Sequence, residues 1–249
     1  MPADDGWSSV AVDWSALWGR LADPARDAVV AATSIGPATR VLDVGCGSGE
    51  FLALVERAGG HPSGIDPAPG MLALARAAVP AADVRQGRAE RLPWPDASFD
   101  VVTAFNALQF ADDTVEALGE LMRVTVPGGY VAVANWAERE RNDIDAIEAA
   151  VVEADGEEPT PDGDLRPAGG LESLFEEAGL PLVSAGLVDV VWAVADDDAL
   201  VRGALLGEDE AVRASLAPVV LAAARPFRDD GGYRLRNAFR LAIGRLPLR

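Results

Sequence analysis

The chain has 249 residues, of which 49% are hydrophobic, and its formal net charge is −19. This length and composition predict one globular domain with a sizeable core rather than two domains. The negative charge argues against nucleic acid and anionic membranes as partners, because affinity for phosphate groups comes from Lys and Arg side chains.

Targeting and metal-binding signals are also missing from the sequence. The first residues lack a basic segment followed by an apolar core, and no run approaches 18 apolar residues. The sequence therefore predicts a soluble, cytoplasmic protein. The single cysteine, Cys46, excludes an intrachain disulfide and a cysteine cluster for zinc, and the single histidine, His61, excludes a His-rich metal site.

The predicted elements begin with one or two amphipathic helices in residues 7–34. From residue 38 to 136, short β-branched runs alternate with segments of helical period, which is typical of βαβ units and a parallel sheet. The predicted strands are 40–44, 61–65, 82–86, 99–105 and 129–136, and the predicted helices lie near 49–58, 68–78 and 112–124.

Beyond residue 137 the pattern is less regular. We predict a helix near 142–153, then a loop rich in acidic residues, Pro and Gly that reaches residue 170. The later predicted elements are a helix at 170–178, a strand at 181–194, helices at 197–206 and 208–224, and a last strand at 232–243.

A glycine-rich turn is the most informative motif. The predicted first strand leads into Gly45, Gly47 and Gly49 and then into a helix. Glycines let the backbone approach a ligand, and the N–H groups at the helix N-terminus then face it. The alternative is a tight strand-to-helix connection without a ligand. A dinucleotide is disfavoured, because its fingerprint requires a third glycine where this chain has Glu50.

A carboxylate at the end of the second predicted strand supports the ligand hypothesis. Asp66 lies near the spacing from the first glycine at which an acidic residue binds two ribose hydroxyls. Taken alone, Asp66 could instead cap the helix that follows it. The combination with the glycine turn favours the ribose contact.

Five sequence blocks together resemble one family. They are VLDVGCGSG, GIDPAPGML, GRAERLPWPDASFDVV, NALQF and ELMRVTVPGGYVAVANW, and they span about residues 38–136. In this order the blocks resemble the small-molecule class I methyltransferases that use S-adenosylmethionine (SAM), of the ubiquinone/menaquinone-methyltransferase-like group. The resemblance implies SAM as cofactor and S-adenosylhomocysteine as its product.

The resemblance also implies roles for particular residues. It places Asp43 and the backbone of Gly45, Cys46 and Gly47 against the methionine portion of SAM, with Gly49 in the same turn. The other implied cofactor contacts are Asp66 to the ribose, Pro67, Met71, Ala89 and Glu90 to the adenine, and Asn106 at the border with the acceptor. Arg88 is also among the implied cofactor contacts, although the family commonly has Asp at that position, which is the clearest departure from its pattern.

Further residues have competing interpretations. Trp14 and Trp18 could form an aromatic wall of the acceptor pocket or could anchor their helix to the sheet, and Trp136 is expected in the pocket. Cys46 is expected to pack within the turn rather than act as a nucleophile. His61 falls at the beginning of the second strand, whereas ligands bind beyond the carboxyl ends, so we expect no catalytic histidine and assign no catalytic residue.

The resemblance implies a doubly wound, Rossmann-like α/β fold. Its seven-stranded sheet should have the order 3-2-1-4-5-7-6 with strand 7 antiparallel. We expect a single SAM-binding domain over 1–249. Its parts are N-terminal lid helices (1–37), the cofactor-binding core (38–136), a lid or substrate insertion (137–180), and further strands and helices of the same sheet (181–249).

The leading functional hypothesis is methyl transfer from SAM to O, N or C of a small molecule, in bacterial specialised metabolism. One alternative is a protein of the same fold that binds SAM but catalyses another reaction, such as a cyclisation. A second is a non-catalytic SAM-binding module. The fourth predicted strand lacks the Asn/Asp-Pro-Pro-aromatic motif of exocyclic-amine methyltransferases, which again disfavours nucleic-acid substrates.

Overall fold

The computed structural model describes residues 4–156, 158 and 161–248. Within this part of the chain, eight strands form one sheet with helices around it. The strands are β1 (Arg40–Val44), β2 (His61–Asp66), β3 (Asp83–Gln86), β4 (Phe99–Phe105), β5 (Thr125–Trp136), β6 (Leu182–Val194), β7 (Arg228–Asp229) and β8 (Gly232–Arg245). The α-helices are α1 (Asp4–Leu17), α2 (Asp23–Thr33), α3 (Glu50–Arg57), α4 (Pro69–Ala78), α5 (Thr114–Val124), α6 (Asp143–Ala154), α7 (Gly170–Glu177), α8 (Asp197–Ala204) and α9 (Glu210–Ala224).

The sheet has the order β3-β2-β1-β4-β5-β8-β6, and β7 pairs only with β8. The first five strands are parallel to one another, whereas β8 runs antiparallel to both β5 and β6. The predicted order 3-2-1-4-5-7-6 with an antiparallel seventh strand is therefore confirmed, with β8 in the seventh position. The two-residue strand β7 was not predicted.

Alternating side chains of the central strands bury both faces of the sheet. In β1, Val41 belongs to the core beneath α2, α6, α8 and α9, whereas Leu42 belongs to the core beneath α5 and α7. Val101 and Val102 of β4 divide in the same way. The chain therefore forms a three-layer arrangement in which the parallel strands are buried on both sides.

The helices predicted between residues 38 and 136 lie within two residues of their predicted ends. Strand β5 begins earlier than expected, at Thr125 rather than 129, because its pairing with β4 shifts register around Gly128, whose φ is +76°. The loop expected after α6 falls partly on residues 157, 159 and 160, which lie outside the described residues.

Residues 137–180, expected as a lid or substrate insertion, include helices α6 and α7. Ile144 and Ile147 of α6 and Leu171 and Phe175 of α7 are buried in the cores on the two faces of the sheet. The amphipathic pattern predicted a buried face for each helix but not the surface that it covers. Helices α6 and α7 therefore cover the sheet.

Helix α1 lies beyond the carboxyl ends of the strands, where Ser8 ties it to the start of α4. The Ser8 hydroxyl accepts a hydrogen bond from the Gly70 N–H at 3.0 Å. In the described part of the chain, no helix is both long and apolar enough to cross a membrane.

Candidate functional site

A cavity of about 490 Å³ lies at the carboxyl ends of β1, β2 and β4. This volume is in the range of small-molecule sites, and the position is where open α/β sheets bind ligands. Helices α1 and α2, the end of β5 and the middle of β8 complete the wall, through Trp14, Arg26, Trp136 and Phe239.

The glycine turn exposes its backbone to this cavity. Gly45 and Gly47 have φ values of +72° and +52°, which favour glycine. A Cβ atom on Gly45 would lie 2.4 Å from the Cβ of Ala107, so a side chain there would collide with the segment after β4. Gly49 does not line the cavity; it precedes α3 with φ +91°, and a Cβ there would lie 2.9 Å from Ala75 Cα.

Asp66 bridges the glycine turn and the segment that leads into α4. One carboxylate oxygen accepts a hydrogen bond from the Gly47 N–H at 3.0 Å, and the other accepts from the Ala68 N–H at 2.9 Å. The residue before α4 is Ala68, so Asp66 is not the N-cap of that helix. The carboxylate lines the cavity while it also orders the backbone of two loops.

Asp43 carries a carboxylate that the protein buries almost completely, with 3% of the residue exposed. The pKa of Asp43 is raised to about 7, mainly by burial and to a smaller extent by the nearby carboxylates of Glu50 and Asp66. The Thr103 hydroxyl donates a 2.7 Å hydrogen bond, and this bond and the charge of Arg26 act in the opposite direction. A cation beside Asp43 would favour its ionised form.

The residues predicted for the adenine end all line the same cavity: Pro67, Met71, Arg88, Ala89 and Glu90. Met71 is 3% exposed and packs in a cluster with Trp7 and Trp14 of α1. The Arg88 guanidinium lies 3.4 Å from Asp112 and 3.8 Å from Glu90, so its charge is directed into an ion-pair group. At the position where the family commonly has Asp, Arg88 thus takes part in ordering the loop after β3.

Two amide side chains near the end of β4 present polar atoms that lack partners in the described protein. Asn106 has φ +51°, and its backbone N–H donates to the Ala134 carbonyl at 2.8 Å. The side-chain oxygens of Asn106 and Gln109 are both buried without a hydrogen-bond partner. Because both residues line the cavity, a ligand that donates hydrogen bonds would satisfy them.

Aromatic side chains form the wall opposite the adenine end. Trp18 stacks on Trp192 with ring centroids 4.0 Å apart and meets Trp136 edge-on at 6.3 Å. Trp136 in turn meets Phe239 edge-on at 4.9 Å. Trp18, which follows α1, lines the cavity, and its indole N–H donates to the Gly203 carbonyl at 3.2 Å.

The structure brings together all of the predicted cofactor and pocket residues except Gly49. Sequence reasoning missed Arg26, Gln109, Phe110 and Trp7, which also line the cavity. Trp7 and Phe110 meet edge-on at 5.7 Å across its rim. Arg26 could have been found from the sequence, because it lies on the apolar face of a predicted amphipathic helix, where a charged side chain requires a partner.

Cys46 and His61 have the surroundings that were expected of them. Cys46 is buried, and burial raises the pKa of its thiol well above the ordinary value, which keeps the thiol protonated. His61 is exposed and is the first residue of β2, whereas Asp66 is the last, so about 16 Å of strand separates His61 from the cavity.

Comparisons with known proteins agree with this architecture. Residues 42–133 match the model of a methyltransferase domain family. The malonyl-[acyl-carrier protein] O-methyltransferase of Serratia marcescens is 38% identical over 101 residues, which are 41% of this chain and 40% of that protein. The demethylmenaquinone methyltransferase of Renibacterium salmoninarum is 38% identical over 112 residues, which are 45% and 47% of the two chains. The matches thus span less than half of these relatives.

Solved structures match over a longer part of the chain. A Bacillus halodurans protein assigned as a methyltransferase aligns with a TM-score of 0.63 at 18% identity, covering 89% of this chain and 98% of its own. The [4+2]-cyclase SpnF aligns with a TM-score of 0.63 at 20% identity, covering 93% and 83%. The resemblance to methyltransferases is therefore confirmed: residues 42–133 match a methyltransferase domain family, and the chain has the fold of these solved structures.

Proposed function

We propose that this protein is a SAM-dependent methyltransferase that acts on a small molecule. The observation that carries the proposal is that the two ends of the cavity differ. The accessible backbone of the glycine turn, Asp43 and Asp66 lie at one end, and the aromatic wall described above lies at the other. The first end suits a nucleoside joined to a cationic amino acid, and the second suits an apolar acceptor. The domain match supports this proposal.

The residues of the cavity fit SAM by charge and by space. The turn at Gly45 has no room for a side chain, which suits a ligand that approaches the backbone closely. We assign the methionine ammonium to Asp43, the ribose hydroxyls to Asp66, and the adenine to Pro67, Met71 and the loop after β3. The partnerless oxygen of Asn106 supplies an acceptor between the two ends.

SAM supplies an activated methyl group for in-line displacement by a nucleophilic atom of the acceptor. The protein's part is to hold the acceptor against the aromatic wall and to exclude water, which would otherwise hydrate the nucleophile. Among the described residues, no histidine lines the cavity. We therefore propose that the rate enhancement comes from positioning of the acceptor and desolvation of its nucleophile, and we assign no catalytic base.

The proposal also covers the class of acceptor, the cellular location of the protein and its domain organisation. The net charge of −19 supports a small-molecule acceptor rather than nucleic acid or an anionic membrane surface. We place the protein in the cytoplasm and its reaction in bacterial specialised metabolism. We treat residues 1–249 as one SAM-binding domain, because strands from Arg40 to Arg245 belong to a single sheet.

Calorimetry with three ligands tests the cofactor assignment. SAM and S-adenosylhomocysteine should both bind, whereas NAD should not, because Glu50 occupies the position where the dinucleotide fingerprint requires glycine. Binding of NAD together with no binding of SAM would overturn the proposal.

A second candidate function keeps the cofactor site but not methyl transfer. The likeness to the fold of SpnF, a [4+2]-cyclase, favours this alternative, since the fold is compatible with such chemistry. Turnover discriminates between the candidates: a methyltransferase consumes one SAM for each product molecule, a cyclase consumes none, and a non-catalytic binding module converts no substrate. Mass spectrometry of the acceptor, with a gain of one methyl group, is the direct measurement.

A further inference from the structure

Strand β6 forms a long outer edge of the sheet. It has 13 residues and stands at one end of the strand order, so β8 is its single neighbour among the strands that the structure describes. Backbone N–H and C=O groups on the other side of an edge strand can pair with another chain. Residues 182–187 are all exposed, and so are Asp189, Val191 and Ala193. This side of the sheet is therefore open to a partner.

The side chains of β6 are unusually apolar for an open edge. Val183 is 58% exposed, and Leu187 and Val191 are each 41% exposed. The strand contains one charged residue, Asp189, although 24% of the residues of the chain are charged. Edges that remain free in solution are typically short or carry several charges or Pro, whereas β6 is long and has no Pro. Its exposed surface therefore has the composition of an interface.

The two halves of β6 differ on the face of the sheet that lies beneath α8. In the second half, Trp192 is buried, and a Cβ on Gly203 of α8 would come 2.3 Å from its ring. In the first half, Ser184 and Gly186 lie on the same face at alternate positions, and both are exposed. A Cβ on Gly186 would meet no atom within 4 Å, so the fold of the single chain does not require this small residue. Half of the strand is thus covered, and the other half is uncovered.

We propose that β6 pairs with β6 of a second copy of this chain, antiparallel, about a two-fold axis through Val188. This inference is independent of the cofactor assignment. Six residues of β6 precede Val188 and six follow it, so the pairing uses the whole strand. It places the uncovered half of each strand beside the half that α8 covers in the other copy, with Ser184 opposite Trp192. The small residues Ser184 and Gly186 leave room for the helix of the other copy.

The charge of the chain favours a second copy over another protein. Two copies with a net charge of −19 repel each other, and the repulsion is least where the surface carries few charges, as it does at β6. A partner attracted by the negative charge of the chain would be basic, and it would bind an acidic surface instead.

The length of β6 sets the expected strength of the dimer. A 13-residue strand is about 43 Å long, and with side chains about 10 Å deep its pairing covers about 400 Å² of each copy. Stable interfaces typically bury about 800 Å² per partner. The contact with α8 adds to the smaller area, and we therefore expect a dissociation constant in the micromolar range.

The proposed register gives Asp189 a defined neighbour. Residues directly opposite each other across the axis lie on one face, so Leu187 would lie opposite Asp189 of the other copy. The two Asp189 carboxylates would be diagonal neighbours, about 7 to 8 Å apart. Because salt screens this repulsion, the dimer should become tighter as the salt concentration rises from about 20 mM to about 0.5 M. Asp189→Asn should tighten the dimer at low salt by about twofold or more.

Sedimentation velocity over a dilution series from about 1 to 200 μM tests the pairing. L187D places a carboxylate opposite Asp189 of the other copy and should weaken the dimer by about tenfold or more. L187K places an ammonium there and should dimerise at least as tightly as the wild-type protein. V12D is the matched control, because Val12 is 71% exposed on α1, away from this edge, and receives the same acidic substitution. It should keep the wild-type dissociation constant.

The possible results separate the proposed pairing from other arrangements. A wild-type protein that stays monomeric up to about 200 μM would overturn the inference and leave the edge to a different partner. An unchanged dimer in L187D would show that the copies meet through another surface. Equal weakening by L187D and L187K would contradict the register about Val188. Should L187D not fold, A185D adds the same charge at another exposed position of β6, opposite Val191 of the other copy, and should weaken the dimer as strongly.

Discussion

Replacement of Asp43 by asparagine should stabilise the ligand-free protein at neutral and alkaline pH. Burial is the main reason that the pKa of Asp43 rises from 3.8 to about 7, and it outweighs the opposing effects of the Thr103 hydroxyl and Arg26. Asparagine has nearly the same shape, and its side-chain oxygen can still accept the 2.7 Å hydrogen bond from Thr103. Asp43→Asn therefore removes a buried charge and changes little else.

The sign and size of the effect follow from proton linkage. A carboxyl group whose pKa is higher in the folded than in the unfolded chain contributes its full stability below the unfolded pKa, and this contribution is lost as pH rises through the folded pKa. For Asp43 the loss extends from about pH 4 to about pH 7 and amounts to about 4 kcal/mol at most. The variant and the wild-type protein should be similar at pH 4, and the variant should be more stable at pH 8.

Urea unfolding of the ligand-free proteins at several pH values measures this difference. Glu148, whose pKa is also raised to about 7 by burial, is present in both proteins and cancels. Asp100→Asn is a control of opposite sign, because hydrogen bonds from Arg40 lower the pKa of that partly exposed carboxyl. It should cost about 1 kcal/mol or less at pH 7. The reasoning is refuted if Asp43→Asn is no more stable than the wild-type protein at pH 8.

Three further substitutions test the proposed site. Asp66→Ala should weaken SAM binding by about 1.5 to 3 kcal/mol for each charge-assisted hydrogen bond lost. It should also lower the melting temperature of the ligand-free protein, because the Asp66 carboxylate accepts hydrogen bonds from two backbone N–H groups. An unchanged melting temperature would contradict this structural role. Once an acceptor is known, His61→Gln should leave kcat within about threefold, whereas a hundredfold loss in a folded variant would show that our reasoning on the reaction is wrong. Gly45→Ala should reduce both the stability of the protein and its SAM binding in calorimetry, because the added Cβ would lie 2.4 Å from the Cβ of Ala107. Gly119→Ala in α5 is the control: its added Cβ would meet no atom within 4 Å, so the variant should be neutral or stabilised by up to about 1 kcal/mol.

The central strands could be predicted from the sequence because they are short, buried and rich in β-branched residues. Their boundaries agree closely where turn residues follow directly, as at Val44 and Phe105. Strand β7 could not be predicted, because Arg228 and Asp229 carry no pattern and pair only through the tight turn into β8. The sheet order came from the family resemblance, since alternation alone does not determine which strands are neighbours.

The surfaces that α6 and α7 cover could not be predicted from the sequence. Periodicity identifies a buried face on each helix, but Ile147 and Phe175 would give the same pattern beneath a lid or against a sheet. What the sequence leaves open for residues 137–180 is thus tertiary packing rather than secondary structure. By contrast, Trp14 and Trp18 are separated by one helical turn, and the structure places both in the cavity wall.

Asp43 connects the stability of the protein to its proposed function. Its neighbours Leu42 and Val44 are buried and apolar, and an apolar side chain at position 43 would avoid the cost of a buried carboxylate at neutral pH. Thr103 compensates only part of that cost, since the pKa remains raised. A cationic ligand group would offset the remainder, because it favours the ionised carboxylate. The same carboxylate that destabilises the ligand-free protein would then contribute to binding the ammonium of SAM. Under the proposed function, this trade of stability for a charged site would account for an acidic residue in a buried central strand.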